Sequence, residues 1–313
     1  MRHGYPSETR GASDGHVPTD SRPRICRKAG KCKGEAAGRP HIGDLVIAQE
    51  VIGCGHCPAC EKGEDNACEY LKIIGVHTAG GFAEYVKVPV KKLYRIPDDM
   101  DLRTAAMIEP LAVAVHDVRM SGLKAGESVL ITGGGPIGQL IAITARASGA
   151  RNVVISEINS YRRSFAEQLG FRVIDPTEED FDRRLKELNG GRDYEVSFEV
   201  SGAQSAMTVC IDHTANTGTV MVIAIAMKPH FIDTGKIFAK ELRLQGVRIH
   251  SMYNFEGAVH MMGMDSVAAD VRKLISRVYQ LDEAEEAFDY AEHGKESMKV
   301  VVHVSDLQET GGE

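Results

Sequence analysis

The chain has 313 residues, 43% of them hydrophobic, which is enough to bury the cores of about two domains. Its formal net charge of -7 and pI of about 6.0 argue against nucleic acid or an anionic membrane as a partner of the whole protein. The longest apolar run, Val220 to Met227, is far shorter than the ~20 residues that span a bilayer, and no secretory signal pattern is present. We therefore expect a cytoplasmic protein that binds neither nucleic acid nor a membrane.

Residues 1–40 differ from the rest of the chain, because they hold nine Lys/Arg against four Asp/Glu. No strand or helix periodicity persists there for more than a few residues, which predicts an irregular or disordered segment. A basic arm for nucleic acid is an alternative, but it lacks interleaved aromatic residues beyond Tyr5. The pattern changes at His41, and the apolar segment Leu45 to Ile52 follows.

Four of the seven cysteines form a C-x2-C-x2-C-x7-C array at Cys54, Cys57, Cys60 and Cys68. The short spacings let the thiolates converge on one cation, and four thiolates fill a tetrahedral zinc ion without leaving an open position. The array therefore predicts one structural zinc. An iron–sulfur cluster and unligated thiols are the alternatives, and His56, inside the array, is expected to be solvated.

An acidic side chain, Glu109, interrupts the apolar run AAMIEPLAVAVH. Asp101 can cap a helix that leads to this residue, and burial of its carboxylate is costly unless it is paired or bound to a metal. The alternative is an exposed carboxylate at a helix break before Pro110. His116, seven residues later, is expected to be a core or interface histidine. Before this helix, Gly80 to Val88 alternates in polarity and predicts a strand.

The stretch from Val129 to Glu157 has the order strand, glycine turn, helix, strand, acid. The turn is a G-x-G-x-x-G motif, in which the first glycine permits the tight turn, the second lets the backbone approach a pyrophosphate and the third lets helix and strand pack closely. The phosphates then lie at the helix N-terminus, which favours an anion. The motif residues that we expect at the nucleotide are Gly133, Gly135, Pro136, Ile137 and Gly138.

Glu157 follows the second strand directly, 19 residues after Gly138. A carboxylate there can accept hydrogen bonds from the ribose hydroxyls of NAD and would repel the 2′-phosphate of NADP, so we expect NAD. Arg162 and Arg163 lie close by, and an arginine there could stack on adenine or contact a phosphate. An ordinary glycine turn followed by a solvated acid is the alternative.

The pattern then continues as that of a doubly wound α/β domain. Helices are predicted over Ser160–Leu169, from Phe181 to Asn189-Gly190 and through Cys210, and again from about Tyr253. Strands are predicted over Arg172–Ile174, Tyr194–Val200, Thr219–Ile225, Leu242–Ile249 and Met298–Val304.

With these features in place, the chain resembles the medium-chain, zinc-dependent alcohol and polyol dehydrogenases, especially the sorbitol, butanediol and threonine dehydrogenase branch. The resemblance runs from about Ile42 to Val304. It rests on the four-cysteine array, GGFAEYV at Gly80, IEPLAVAVH at Ile108, GGGPIG at Gly133 and SFEVSG at Ser197.

The resemblance implies an α/β protein in which a GroES-like, β-rich catalytic domain, here incomplete at its N-terminus, is built from both chain ends around a Rossmann domain. The expected division is an atypical segment 1–40, catalytic domain 41–115, nucleotide-binding domain 116–252 and a C-terminal return 253–313. It also implies oxidation of a secondary alcohol or polyol by NAD with the help of a second, catalytic zinc, with Glu109 on or near that zinc. A homodimer or homotetramer is expected.

The sequence departs from this family at its start, because the motifs G-I-C-G-[ST]-D and G-H-E, which supply catalytic zinc ligands, are absent. A truncated or frame-altered N-terminus would explain this. Cys26, Cys32 and His41 could in principle join Glu109 in an improvised site. The functional alternatives are a catalytically impaired NAD- and zinc-binding relative and a reductase of this fold that lacks catalytic zinc.

Overall fold

The computed structural model describes residues 26–29 and 40–304; for Cys26–Lys28 it describes the backbone only. Expectations for the other residues before 40 and for the tail after 304 lie outside this range. The first half holds two small antiparallel sheets. One has the order β1-β2-β5 and the other pairs β3 with β4; their strands are β1 (Cys26–Lys28), β2 (Leu45–Ala48), β3 (Val51–Ile52), β4 (Lys72–Ile73) and β5 (Leu93–Arg95).

Strand β1 corrects the expectation that residues 1–40 are irregular throughout. It pairs with β2 in the register Cys26↔Ile47 to Lys28↔Leu45, and Ala29 N–H donates to the Asp44 carbonyl at 2.8 Å. Three residues carry no periodicity of their own, so the strand is specified by its hydrogen-bonding partner β2.

Residues 80–88 were predicted as a strand, and this is wrong. The alternation is real, since Val86 and Val88 are half-buried against Ala48 and Ile74 while their neighbours Tyr85, Lys87 and Pro89 are exposed. No strand in the described part of the chain pairs with this segment. Alternation thus reports which side chains face the core, whereas a strand also needs a partner backbone.

Three helices follow or interrupt these sheets: α1 (Pro58–Glu61), α2 (Leu102–Ala105) and α3 (Ile108–Ser121). Asp101 caps α2, accepting hydrogen bonds from the backbone N–H groups of Arg103 and Thr104. Pro110 does not interrupt helix α3, because it lies in the first turn, where a backbone N–H would have no partner within the helix. Glu109 is therefore part of a continuous, largely buried helix.

The second half contains a six-stranded parallel sheet with the order β11-β10-β9-β6-β7-β8. Its strands are β6 (Ser128–Thr132), β7 (Asn152–Ser156), β8 (Arg172–Ile174), β9 (Tyr194–Glu199), β10 (Thr214–Val222) and β11 (Arg243–Gly246). The first strand, β6, pairs with both β7 and β9, so the order reverses beside it, as in the 3-2-1-4-5-6 sheet of dinucleotide-binding folds. Ligands of such sheets bind beyond the carboxyl ends of the strands at this switch point.

The helices between these strands are α4 (Pro136–Ala147), α5 (Ser160–Gln168), α6 (Phe181–Glu187), α7 (Gln204–His213) and α8 (Thr234–Lys240). The strand predicted from Thr219 begins earlier, at Thr214. Its register on β9 shifts between Thr214 and Thr219, and Thr217 has a left-handed conformation at φ 66°, so this first part of the strand is irregular. Helix α8 was not predicted. Its seven residues are too few to show a helical period, and its clearest signal is the capping residue Asp233.

The chain ends with α9 (Met252–Met262), α10 (Asp265–Lys273), β12 (Ile275–Gln280), α11 (Ala284–His293) and β13 (Lys299–His303), in which β12 and β13 pair in parallel. Eleven of the fourteen residues of helix α3 are buried, and the helix packs against α4 and α9. Within residues 40–304, no helix combines the length and apolar character that a membrane crossing requires.

Candidate functional site

The glycine turn lies at the switch point that the sheet order defines. Gly133 follows β6 at φ 112°, and a Cβ placed on it would lie 3.0 Å from the backbone nitrogen of Ser201, in the turn after β9. A Cβ on Gly138 would lie 1.9 Å from the Gly133 carbonyl oxygen. Both positions therefore exclude side chains, and the first turn of α4 packs directly on the end of β6.

The turn after β9 is held by a buried carboxylate. One oxygen of Glu199 accepts hydrogen bonds from the backbone N–H groups of Ser201 and Gly202 and from the Ser201 hydroxyl, at 2.8–2.9 Å. Because this turn abuts Gly133, Glu199 fixes the second wall of the crevice.

Glu157 directly follows β7 and turns its carboxylate toward the glycine turn. Its two oxygens accept hydrogen bonds from the N–H groups of Gly134 and Asn159, each at 2.7 Å, and the residue is buried. Arg162, in the first turn of α5, approaches the same loop, since a Cβ on Gly135 would lie 3.6 Å from its Nη1. Arg163 points elsewhere, donating to the Glu157 carbonyl and pairing with Asp175.

The four cysteines converge as the spacing predicts. Their sulfur atoms all lie within 4.8 Å of one another, and Cys57 and Cys68 are buried with their sulfurs 3.8 Å apart. Backbone N–H groups of Cys54 and Tyr70 donate to the Cys68 sulfur, and hydrogen bonds from the backbone at Cys60 and Glu69 lower the pKa of Cys57 to about 6. Donors aimed at sulfur favour thiolates, the form that binds zinc. A backbone hydrogen bond from Gly55 lowers the pKa of Cys60, but burial and the neighbouring thiols outweigh it and raise that pKa to about 11. The convergence of four sulfurs, with N–H donors on the Cys68 sulfur, is what fits zinc. His56 is exposed, as expected.

Glu109 is buried, and the structure places it beside two residues that sequence reasoning missed, Glu50 and His250. Nε2 of His250 lies 3.2 Å from a Glu50 oxygen and 3.8 Å from a Glu109 oxygen. Burial alone would disfavour a charged imidazole, but the two carboxylates outweigh it and raise the pKa of His250 to about 10. The exposed-carboxylate alternative for Glu109 is therefore wrong, because α3 continues through Pro110 and turns this residue into the core.

His116 and Asp117 complete the polar surroundings of this cluster on α3. His116 is buried, with its Nδ1 at 2.7 Å from the side-chain amide nitrogen of Asn254, which fits its expected place in the core. Burial, reinforced by the charge of His250, lowers the pKa of His116 to about 4. Burial also raises the pKa of Asp117 well above its usual range, against the influence of His250.

The improvised site around Cys26, Cys32 and His41 receives no support from the described residues. Cys32 and the side chain of Cys26 lie outside them. His41 is exposed beside Asp44, with its Nδ1 3.7 Å from the carboxylate.

Comparison with known proteins agrees with this architecture. Residues 29–98 match the alcohol dehydrogenase GroES-like domain, and residues 136–264 match the zinc-binding dehydrogenase family. The chain is 36% identical over 269 residues to 2-dehydro-3-deoxy-L-galactonate 5-dehydrogenase of Pseudoalteromonas atlantica, covering 86% of this chain and 78% of that one. It is 34% identical over 271 residues to L-threonine 3-dehydrogenase of Pectobacterium atrosepticum, covering 86% and 74%.

Among solved structures, 2R,3R-butanediol dehydrogenase from Bacillus subtilis superimposes with a TM-score of 0.77 at 30% identity, covering 85% of this chain and 75% of that one. The chain therefore belongs to the medium-chain, zinc-dependent alcohol and polyol dehydrogenase family, with the GroES-like and Rossmann folds that the resemblance implied. Its function is that of an NAD-dependent alcohol or polyol dehydrogenase with zinc and NAD as cofactors and a small molecule as substrate.

Proposed function

We propose that this chain transfers hydride between NAD and a secondary hydroxyl group of a small, polar polyol or hydroxy acid. The observation that carries this proposal is the glycine turn at the switch point of the sheet, with Glu157 beside it. The substrate class follows from the relatives, since butanediol and L-threonine each carry a secondary hydroxyl group next to a second polar group.

In the proposed complex, the pyrophosphate lies on the turn formed by Gly133 to Gly138, at the N-terminus of α4. That terminus has no side-chain cap, which leaves its N–H groups available to an anion. Glu157 binds the adenosine ribose, and Arg162 lies over the pyrophosphate or the adenine. Glu199 keeps the opposite wall of the crevice in place. When bound, NAD accepts the hydride and a zinc ion supplies Lewis acidity.

For the metals, we assign the structural zinc to Cys54, Cys57, Cys60 and Cys68, and place Glu109 at the catalytic centre. We also retain the proposed division of the chain at residues 41, 116 and 253, with β1 now attached to the first sheet. A homodimer or homotetramer working in the cytoplasm completes the proposal. The cytoplasmic assignment is supported by the five cysteines of the described residues, none of which forms a disulfide.

One observation favours the second candidate, a relative that binds NAD and zinc without turnover. The motifs that supply catalytic zinc ligands in the family are absent from this sequence. A chain without a catalytic metal would still bind the nucleotide, because the glycine turn and Glu157 do not depend on that metal.

The test uses the purified full chain and two measurements. The first is NADH binding by titration calorimetry, and the second is NAD reduction with 2,3-butanediol, L-threonine, sorbitol and aldonic acids, with ethanol as a primary-alcohol control. We expect binding together with turnover of at least one secondary alcohol and no turnover of ethanol. Binding without turnover on any of these substrates would favour the second candidate, and an absence of NADH binding would overturn the nucleotide assignment.

A further inference from the structure

Glu50, Glu109 and His250 form a buried ion cluster, in which His250 is the cation between the two carboxylates. Glu50 lies between β2 and β3, and His250 lies directly before Ser251, the capping residue of α9. Neither Glu50 nor His250 belongs to a helix or strand, so the positions of these two side chains depend on contacts with neighbouring parts of the chain. The cysteine lobe, residues 54–68, supplies contacts to both segments.

These contacts start from one short turn of the cysteine lobe. The 3-10 turn Asp65–Ala67 lies directly before Cys68, so its position is tied to that thiol. A Cβ placed on Gly53, just after β3, would lie 2.9 Å from the Cβ of Asp65, so the turn packs closely on the start of the lobe. The side chains of Asp65 and Asn66 then contact two segments outside the lobe.

Asn66 contacts the segment that carries His250. Its side-chain amide donates to the carbonyl oxygen of Arg248 at 3.1 Å, and the same nitrogen lies 3.4 Å from Nε2 of His116 on α3. Ile249, directly after Arg248, has a left-handed φ of 54°, which is strained for a β-branched residue. Strained backbone persists only where its surroundings hold it, and the Asn66 hydrogen bond acts on the peptide group next to the strain. It therefore helps to fix the backbone that presents His250.

Asp65 contacts the segment that carries Glu50, through a buried lysine. Nζ of Lys92 donates to an Asp65 oxygen at 2.7 Å and to the side-chain oxygen of Gln49 at 2.8 Å, and the Gln49 N–H donates to the Lys92 carbonyl at 2.8 Å. Lys92 and Gln49 are 5% and 0% exposed. Loss of the carboxylate would leave a buried ammonium group without its counter-ion, which is strongly destabilising. Because Glu50 follows Gln49 directly, its position depends on this ion pair.

We propose that the zinc ion of the four cysteines controls the geometry of the buried ion cluster, and that it acts through Asp65 and Asn66. Without the metal, the lobe has almost no apolar core to hold its turn in place, because α1 buries no residue and the turn buries only Asn66. Both contacts should then loosen together. Asp65 and Asn66 are positioning residues, since each acts on the cluster through a neighbour. The inference goes beyond the proposed function, and it rests on the proposed zinc assignment and on the proposed place of Glu109 at the catalytic centre.

The test is hydrogen–deuterium exchange of the full chain, read by mass spectrometry, with zinc bound and after chelation. Zinc analysis confirms the metal content of each sample. The two segments to compare are 45–52 and 246–256, in which backbone N–H groups are held by hydrogen bonds such as those from Gln49 to Lys92 and from Phe255 to Ser251. In the wild type, chelation should speed exchange in both segments on the order of tenfold. Exchange in β6, far from the lobe in sequence, should not change, which distinguishes this coupling from general loosening of the fold.

Two variants interrupt the two contacts separately. Asn66→Ala should keep its zinc and yet show, in segment 246–256, the fast exchange of the chelated wild type, while segment 45–52 stays protected. Asp65→Asn preserves the shape of the side chain and removes its charge, and it should have the opposite pattern. Each variant tests one contact, so the proposal stays testable if the other variant fails to fold. The matched control is Glu64→Gln, which removes a charge at the exposed residue beside this turn and should exchange like the wild type.

A zinc-bound wild type in which chelation leaves exchange of both segments unchanged would overturn the proposal and leave the zinc assignment intact. The proposal would also be wrong if both variants responded to chelation as the wild type does. A wild type that binds no zinc at the four cysteines would overturn the zinc assignment together with the coupling. No substrate or nucleotide is used, so each of these results is separate from success or failure of the proposed hydride transfer.

Discussion

At the scale of single residues, Glu157 places a buried negative charge where the ribose of the nucleotide would lie. Glu157→Gln keeps an oxygen that can accept the Gly134 N–H but removes the charge that repels a 2′-phosphate. We expect the ratio of NADP to NAD affinity to rise on the order of tenfold, which corresponds to about 1.4 kcal/mol. Titration calorimetry with both nucleotides measures this ratio. The control is Glu167→Gln, which removes the same charge at an exposed position of α5 and should leave the affinity ratio unchanged. An unchanged ratio in Glu157→Gln would contradict the placement of Glu157 at the ribose.

His116 gives the molecule a specific pH dependence. Its native pKa is lowered to about 4, so the folded state holds it neutral while the unfolded state gains a proton below about pH 6.5. Its contribution to the free energy of unfolding is therefore fully present above pH 6.5 and is lost as the pH falls through 4.

The comparison is with His116→Gln in urea unfolding over the pH range from about 8 to 4. The stability advantage of the wild type should shrink by roughly 1–2 kcal/mol as the pH falls, less than the full shift implies because water can reach the imidazole once it is charged. His260→Gln, an exposed histidine change, should follow the wild type. A constant difference between the wild type and His116→Gln would show that His116 titrates normally.

Sequence reasoning at this scale succeeds where spacing is local. The four cysteines fall within fifteen residues and the glycine motif within six, so the chain itself brings them together. Glu50 and His250 could not be found in this way, since they lie 59 residues before and 141 residues after Glu109. Only the packing of α3 against α9 brings His250 to Glu109. The one available signal was Glu109 itself, an acid in an apolar helix that had to have a partner.

At the scale of elements, the cysteine lobe has almost no apolar core. Helix α1 has four residues, none of them buried, and the following 3-10 turn, Asp65–Ala67, buries only Asn66. The conformation between Cys54 and Cys68 must therefore depend on the metal. We expect Cys60→Ser or chelation to remove about one zinc per chain and to speed proteolysis within this lobe on the order of tenfold.

Zinc analysis and limited proteolysis measure this dependence, and returned zinc should restore protection to the chelated wild type. His56→Ala is the matched control, because His56 is exposed inside the array and should not be a ligand. Equal proteolysis with and without zinc would mean that the lobe is held by protein contacts alone, such as the ion pair of Lys92 and Asp65 at 2.7 Å.

Helices and strands were predictable where the segment itself showed the periodicity of its structure and, for a helix, a capping residue. Strand β8 was predicted to the residue, and β7 is the second strand of the stretch from Val129 to Glu157, ending directly before the acid as the pattern required. Prediction failed where pairing with another strand determines the structure. Strand β1 forms on β2 although its sequence shows no strand pattern. Residues 80–88 alternate in polarity but have no partner strand among the described residues. Local pattern thus specifies which face of a segment is buried, and long-range hydrogen bonding specifies whether it becomes a strand.

At the scale of the whole molecule, the parallel sheet ends at an edge strand, β11, beside an unusually apolar surface. Four large side chains between β10 and β11 have exposed fractions of 75–86%, namely Ile225, Met227, Phe231 and Phe238. Isolated apolar residues are common on surfaces, but such a concentration next to an edge strand is typical of an interface between subunits. The proposed homo-oligomer would cover it.

Phe238→Glu tests this interface. Burial of a phenylalanine side chain contributes ~1.5–3 kcal/mol, and a two-fold interface buries it twice, so the dissociation constant should rise at least on the order of a hundredfold. Sedimentation velocity across a concentration series measures the shift toward monomer. Tyr85→Glu adds the same charge at a residue that is 83% exposed elsewhere in the chain and should leave assembly unchanged. If Phe238→Glu assembles like the wild type, these side chains lie outside the interface, and the subunits must associate through another surface.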